Sequence, residues 1–366
     1  MTKGGRKRAM LAVAIGVVTL GVGALAAFGL PGRGDSAPPQ QYMPIDRTTR
    51  SAVIDGVVAK LDAFYVFPDK GHAVGRRLQA RAAAGDFDRV KSAQALAEAL
   101  TRTLQKDAGD RHLEVRYFEK PLSAATGDGR PAEEEAAELR HERRLNYGMA
   151  GFERLHGNVG YLDLHAFGRP TALADARYAA AMGLLADTDA LIIDLRRCGG
   201  GDPESVMRFA SRFFDRPAHL NDVYWRDENR IEARWTDPQV AGKRYGETRK
   251  VYLLTSEDTF SGCEDFAYAL KNAGRATLVG ETTGGGAHAG AAHRIDPHFM
   301  VFVPSGRPIN PVTHTDWEGV GVTPDIAVPA KRAQEVAYIA ALKALIANET
   351  DTDWKAALQQ QLEEEE

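Results

Sequence analysis

The chain has 366 residues, a net charge of −4 from 46 basic and 50 acidic side chains, and two cysteines. This balance excludes a nucleic-acid binder built on a basic stripe or a stacking platform. Two cysteines without a CxxC pair exclude a disulfide framework and a structural zinc site, and the length suits about two domains with their own cores.

In chain order, Lys3, Arg6, Lys7 and Arg8 precede an uncharged apolar run from Ala9 to Leu30. A basic segment followed by an apolar one is the export pattern, with Ala24 and Ala26 available to a signal peptidase. The run is also long enough to span a bilayer, so residues 1–30 are expected to be a signal peptide or a membrane anchor. Either places the body of the chain outside the cytoplasmic membrane, periplasmic or extracellular. Cleavage would remove four positive charges, and the mature charge would be −4 − 4 = −8.

Residues 31–48, rich in Pro, Gly and polar groups, read as a linker. Ile54, Val57, Val58, Leu61, Phe64 and Tyr65 then recur at helical spacing, and the helix is expected to stop before Pro68. Leu96, Leu100 and Leu104 mark a second helix over 92–106, and Leu113–Phe118 a short strand. Residues 49–118 thus form an expected helical subdomain. A charged stretch, 119–147, reads as a solvated helix or linker.

From 148 to 330 the pattern is α/β. Apolar strand-like runs fall at Val159–Leu164, Ala190–Leu195, Val251–Leu254, Thr277–Val279 and Phe299–Val303, with helices at 172–186, 203–215 and 262–272 between several of them. Residues 331–366 read as a helix near 332–347 and a frayed acidic end.

Four segments could carry chemistry. Ser261 follows a strand and a polar turn and opens a helix, the order of a nucleophile elbow, where the helix N-terminus favours developing negative charge. Ser261-x-x-Glu264 is equally a capping box, which any helix can begin with. Gly199-Gly200-Gly201, after the most apolar strand, can present backbone N–H groups to an oxyanion, cradle a phosphate, or simply turn. No Walker or GxGxxG pattern accompanies it, which weakens nucleotide binding. His112 enters a strand edge, where a structural role is common, and Glu318 sits in a Gly-rich loop between Trp317 and Val320. His288, His293 and His298 lack accompanying carboxylates at ligand spacing, so no metal is expected there.

Together these segments resemble the tail-specific (C-terminal-processing) serine protease family. The likeness is greatest to the branch with the archaeal tricorn protease and the interphotoreceptor retinoid-binding proteins. It rests on the order of Tyr65-Val66-Phe67-Pro68, Asp110-Arg111-His112, Val159-Gly160-Tyr161-Leu162, Asp194-Leu195-Arg196 with its glycines and Thr259-Phe260-Ser261. Gly280-Glu281-Thr282-Thr283-Gly284-Gly285-Gly286 and Trp317-Glu318-Gly319-Val320-Gly321-Val322-Thr323-Pro324-Asp325 complete it. The resemblance implies a crotonase/ClpP-like β–α core. It makes Ser261 the nucleophile, His112 the base, Glu318 the supporting carboxylate, and Gly262, Gly199 and Gly200 the oxyanion donors, with no cofactor.

Two departures matter. The processing proteases carry a catalytic Lys where this chain has Gly286, so a Ser/Lys dyad is excluded and a histidine is required. Residues 119–150 are also too few for the family's PDZ module. His288 is the rival base. Asp110 is a weaker candidate to orient His112, because neighbouring strand residues alternate faces. The tricorn pattern has a Ser before its His, where this chain has Arg111. The expected function is hydrolysis of peptides or unfolded protein tails. The alternative, from the retinoid-binding relatives, is non-catalytic binding of a retinoid or fatty acid. Nothing in the sequence fixes the oligomeric state or whether Cys198 and Cys263 pair.

Overall fold

A computed structural model describes residues 43–122 and 132–366. The apolar run at 9–30, with its expected signal or anchor role, lies outside the described residues. Among those described, no helix is long and apolar enough to cross a membrane.

Three helices come first: α1 (Arg47–Phe64), α2 (Pro68–Ala83) and α3 (Ala93–Ala108). The Asp46 side chain caps α1 by accepting from the Thr49 N–H. Pro68, expected only to halt a helix, is the first residue of α2, where its missing N–H costs nothing. The spacing of apolar residues had given 69–91 no element. Ser92 caps α3, and Gly109, at φ 64°, ends it in the left-handed conformation that glycine adopts without strain. That turn delivers the next residues to β1 (Glu114–Tyr117). The charged stretch beyond it contains α4 (Ala132–Arg144).

The rest alternates: β2 (Met149–Leu155), β3 (Val159–Leu164), α5 (Ala172–Leu185), β4 (Ala190–Asp194), α6 (Pro203–Ala210), β5 (Asp222–Trp225), β6 (Arg230–Glu232) and β7 (Lys250–Thr255). Then come α7 (Gly262–Asn272), β8 (Thr277–Gly280), β9 (Ala289–Arg294), β10 (Phe299–Ile309), β11 (Ile326–Ala327), α8 (Ala333–Asn348) and α9 (Thr352–Glu365). The acidic end expected to fray is α9. Asp351 caps it, and Leu358 is buried against the core.

One sheet runs β11-β8-β7-β4-β3-β2, parallel except for the antiparallel edge strand β2. Its central strands are covered on both faces, as parallel sheets are. Leu191, Ile193, Val251 and Leu253 face a core shared with α5, α6 and α7. Ala190, Ile192, Tyr252 and Leu254 face α8 and α9. The second sheet is antiparallel, β1-β10-β5-β6 with β9 also on β10, and it backs onto α1, α2 and α3. The carboxyl ends of β4 and β7 therefore open toward the turn that leads into β1.

Candidate active site

Ser261 sits on a turn tied down from three sides. Ser256 Oγ donates to the Arg196 carbonyl at 2.6 Å, Thr259 Oγ1 to the Leu195 carbonyl at 2.8 Å, and Phe260 N–H to the Cys198 carbonyl at 2.9 Å. So held, Ser261 takes φ 51° and ψ −122°, a conformation that L-residues adopt only under constraint. The Glu264 N–H donates to the Ser261 carbonyl at 2.8 Å, and the Glu264 side chain accepts the Ser261 N–H at 2.8 Å. The hydroxyl lies 3.0 Å from His112 Nε2.

His112 reaches this point because Gly109 turns the chain out of α3. Asp110 therefore lies in a turn, not in a strand, and the alternation argument against it does not apply. It is fully buried, and its Oδ1 accepts the His112 N–H at 3.0 Å and lies 4.0 Å from His112 Nδ1. Its Oδ2 takes the Tyr65 hydroxyl at 3.0 Å and His288 Nδ1 at 2.8 Å. One nitrogen or oxygen from each of Asp110, His112 and Glu318 lies within 4.8 Å of the others. The Glu318 carboxylate is held by the Ala287 N–H at 2.6 Å and the His288 N–H at 3.2 Å.

The electrostatics suit a proton acceptor. Burial, only partly offset by the charge of Asp110, lowers the His112 pKa to about 4, so its imidazole is neutral near pH 7. Burial and then the charge of Asp110 raise Glu318 to about 7. Asp110 stays below the ordinary carboxylate range: burial pushes it up, but the hydrogen bond and charge of His288 outweigh that.

Of the two histidines weighed as base, His112 touches Ser261, whereas the His288 ring faces Asp110 and, at 3.6 Å, Glu318. The three histidines at 288, 293 and 298 do not converge. His293 stacks on Phe64, and His298 meets the Phe118 carbonyl.

The Gly-rich loop lies against the serine. Gly200, at φ 123°, approaches so closely that a Cβ there would be 2.9 Å from Ser261 Cβ. Its N–H points at Cys263 Sγ, 3.1 Å away. The Gly199 N–H, expected as an oxyanion donor, donates to the His165 carbonyl at 3.0 Å and is directed into the fold. Cys198 and Cys263 form a buried disulfide that joins this loop to α7.

A family model described as peptidase family S41 matches residues 158–328, and one for the N-terminal domain of that family in eukaryotic IRBP matches 46–144. The chain belongs to peptidase family S41. Among solved structures, a putative peptidase from Parabacteroides merdae has a TM-score of 0.53 at 18% identity, over 76% of this chain and 90% of that one. Mature CPAF gives 0.55 at 14%, over 83% and 99%. A lipoprotein from Streptococcus agalactiae gives 0.51 at 12%, over 83% and 96%. At these identities the likeness is one of fold. Family membership makes this chain a serine-type peptidase with peptides or proteins as its substrate class.

Position 286 has no room for a side chain. A Cβ at Gly286 would lie 2.1 Å from Phe260 Cζ and 2.8 Å from His112 Cε1. A side chain at 286 and the imidazole of His112 compete for one space. Gly286→Ala is therefore expected to push His112 off Ser261 and slow labelling by a serine-directed fluorophosphonate about 10²-fold, read as a second-order rate constant.

Two buried carboxylates were undervalued in the sequence. Asp110 was masked by the strand argument, although Gly109 as a helix stop already signalled a turn. Glu264 was absorbed into a capping box. It is fully buried and accepts from the N–H groups of Ser261 (2.8 Å), Gly285 (2.7 Å) and Gly286 (2.8 Å), and from the Thr283 hydroxyl. One side chain thus ties the serine to the loop beneath His112.

Proposed function

We propose that this S41 peptidase hydrolyses peptide bonds in peptides or unfolded protein tails outside the cytoplasm, with Ser261 as nucleophile and His112 as general base. The contact of 3.0 Å between Ser261 Oγ and His112 Nε2 carries the reading. Ser261 Oγ attacks the scissile carbonyl carbon while His112 Nε2 takes the hydroxyl proton. The carbonyl electron pair moves onto oxygen. When the carbonyl re-forms, the C–N bond breaks and His112 returns the proton to the leaving amine. Water then attacks the acyl-enzyme by the same proton route.

The imidazolium formed in each half-reaction sits beside Asp110 and Glu318, whose charge favours it. The Gly262 N–H, at the start of α7, and the Gly200 N–H are the donors for the oxyanion. Gly200 now directs its N–H at the buried Cys263 sulfur, a weak acceptor, so it serves the oxyanion only if that peptide turns toward the cleft. Gly199 takes no part in this scheme. The parallel order β3-β4-β7-β8 and the short connection before β2 support a crotonase/ClpP-like core without a PDZ module. Export rests on the basic and apolar N-terminal segment.

A fluorophosphonate probe should label the folded protein at Ser261, and Ser261→Ala should abolish labelling. Failure of the folded wild-type chain to label would sink the catalytic reading. It would leave the site as a pocket for an apolar ligand such as a fatty acid.

A further inference from the structure

We propose that His288 is a positioning residue, a buried imidazolium seated between Asp110 and Glu318 that favours the charged form of both carboxylates behind His112. This rests on Ser261 and His112 being the reacting pair. His288 is 3% exposed, too enclosed to meet substrate, and its ring is packed edge-on against Phe67. Its Nδ1 is 2.8 Å from Asp110 Oδ2 and 3.6 Å from Glu318 Oε2, and its backbone N–H also donates to Glu318. One residue therefore bridges the two acids grouped with His112.

The need for it is electrostatic. Two carboxylates this close, one buried and one half-buried, tend to share a proton unless a cation lies between them. The other charged groups facing the cluster do not supply one. From the turn after α3, Arg111 directs its guanidinium away, to the Gly284 carbonyl and over the Phe260 ring. From the end of α1, Tyr65 is neutral, its pKa raised by burial and by Asp110. The 316–318 loop adds Asp316, a further acid, and His112 must itself stay neutral to accept a proton. Glu264 has its oxygens occupied by Ser261, Thr283, Gly285 and Gly286. His288 has the matching response: burial pushes its pKa down, but the bond to Asp110 and the charges of Asp110, Glu318 and Asp316 bring it above the ordinary value.

The consequence concerns protonation, so the test is a pH profile. Fluorophosphonate labelling rates would be measured from pH 5 to 9 for the wild type, His288→Gln, Asp110→Asn and the double variant. In the wild type the rate should rise with pH through about 7, as Glu318 loses its proton. His288→Gln should move that limb up by a unit or more and cut the rate at pH 7 about tenfold. Removing the second carboxylate makes the cation unnecessary. Asp110→Asn should therefore speed the His288→Gln enzyme, although on its own it slows the wild type.

A merely structural His288 gives additive losses and an unmoved limb, and either result overturns the proposal. Should His288→Gln fail to fold, ¹⁵N NMR of the wild-type ring decides. A doubly protonated His288 at pH 7 supports the proposal and a neutral one defeats it. Absence of labelling in the wild type would instead strike at the assignment of Ser261 and His112.

Discussion

Replacing His112 with alanine is expected to lower kcat/KM for a peptide substrate by at least about 10³-fold while the chain remains folded. Nothing else in the site can take over. His288 is held by Asp110 and Glu318 on the far side of the cluster, and Gly286 offers no side chain that could act as a base. A serine hydroxyl without a base is a poor nucleophile near pH 7, so the loss should fall on kcat with KM little changed.

Asp110→Asn and Glu318→Gln should each cost less, about 10²-fold, because each removes one of two charges a few ångström from the imidazolium. Retention of more than a tenth of the activity by His112→Ala, with His288→Ala inactive at every pH, would move the base to His288. Circular dichroism and melting curves on the same samples separate loss of chemistry from loss of fold.

The order of severity among these variants bears on what was legible in the sequence. The α/β core was readable because β4 and β7 are buried on both faces and so appear as unbroken apolar runs. The antiparallel strands β6 and β9 were missed because their apolar content is sparse: Arg230–Glu232 and Ala289–Arg294 carry mostly charged or small side chains at an edge, while β5, Asp222–Trp225, is apolar but only four residues long. The segment α2 was hidden by treating Pro68 only as a stop, although a proline suits the first turn of a helix.

For the site, the strand-turn-serine-helix order pointed to Ser261, while His112 and Glu318 came from family order and not from any local pattern. A histidine 149 positions from its serine has no sequence spacing to betray it. Asp110, Glu264 and the Cys198–Cys263 bond depend on which loops meet, and that is decided by tertiary packing alone.

Glu264 gives the second large effect, and its variants separate geometry from chemistry. Glu264→Ala should destabilise the protein by about 3–5 kcal/mol, because three N–H groups and a hydroxyl lose their acceptor in a dry site. Only part of the chain's packing depends on this corner, so the protein should still fold at low temperature. Its kcat should fall by about 10²-fold even there, since Ser261 is free to relax from φ 51° and the loop beneath His112 loses its anchor.

Glu264→Gln is the sharper probe. It keeps the volume but turns one acceptor into an NH₂ that faces the same N–H donors, so it should lose stability nearly as alanine does. Burial raises the Glu264 pKa to about 6 against the pull of its four hydrogen bonds. Near pH 7 the carboxylate is therefore mostly charged, and it is the charged form that can accept from all four donors. If chemical denaturation shows Glu264→Gln as stable as the wild type, the carboxylate does not hold this corner, and the backbone of Ser261 owes its conformation to the Ser256, Thr259 and Phe260 bonds.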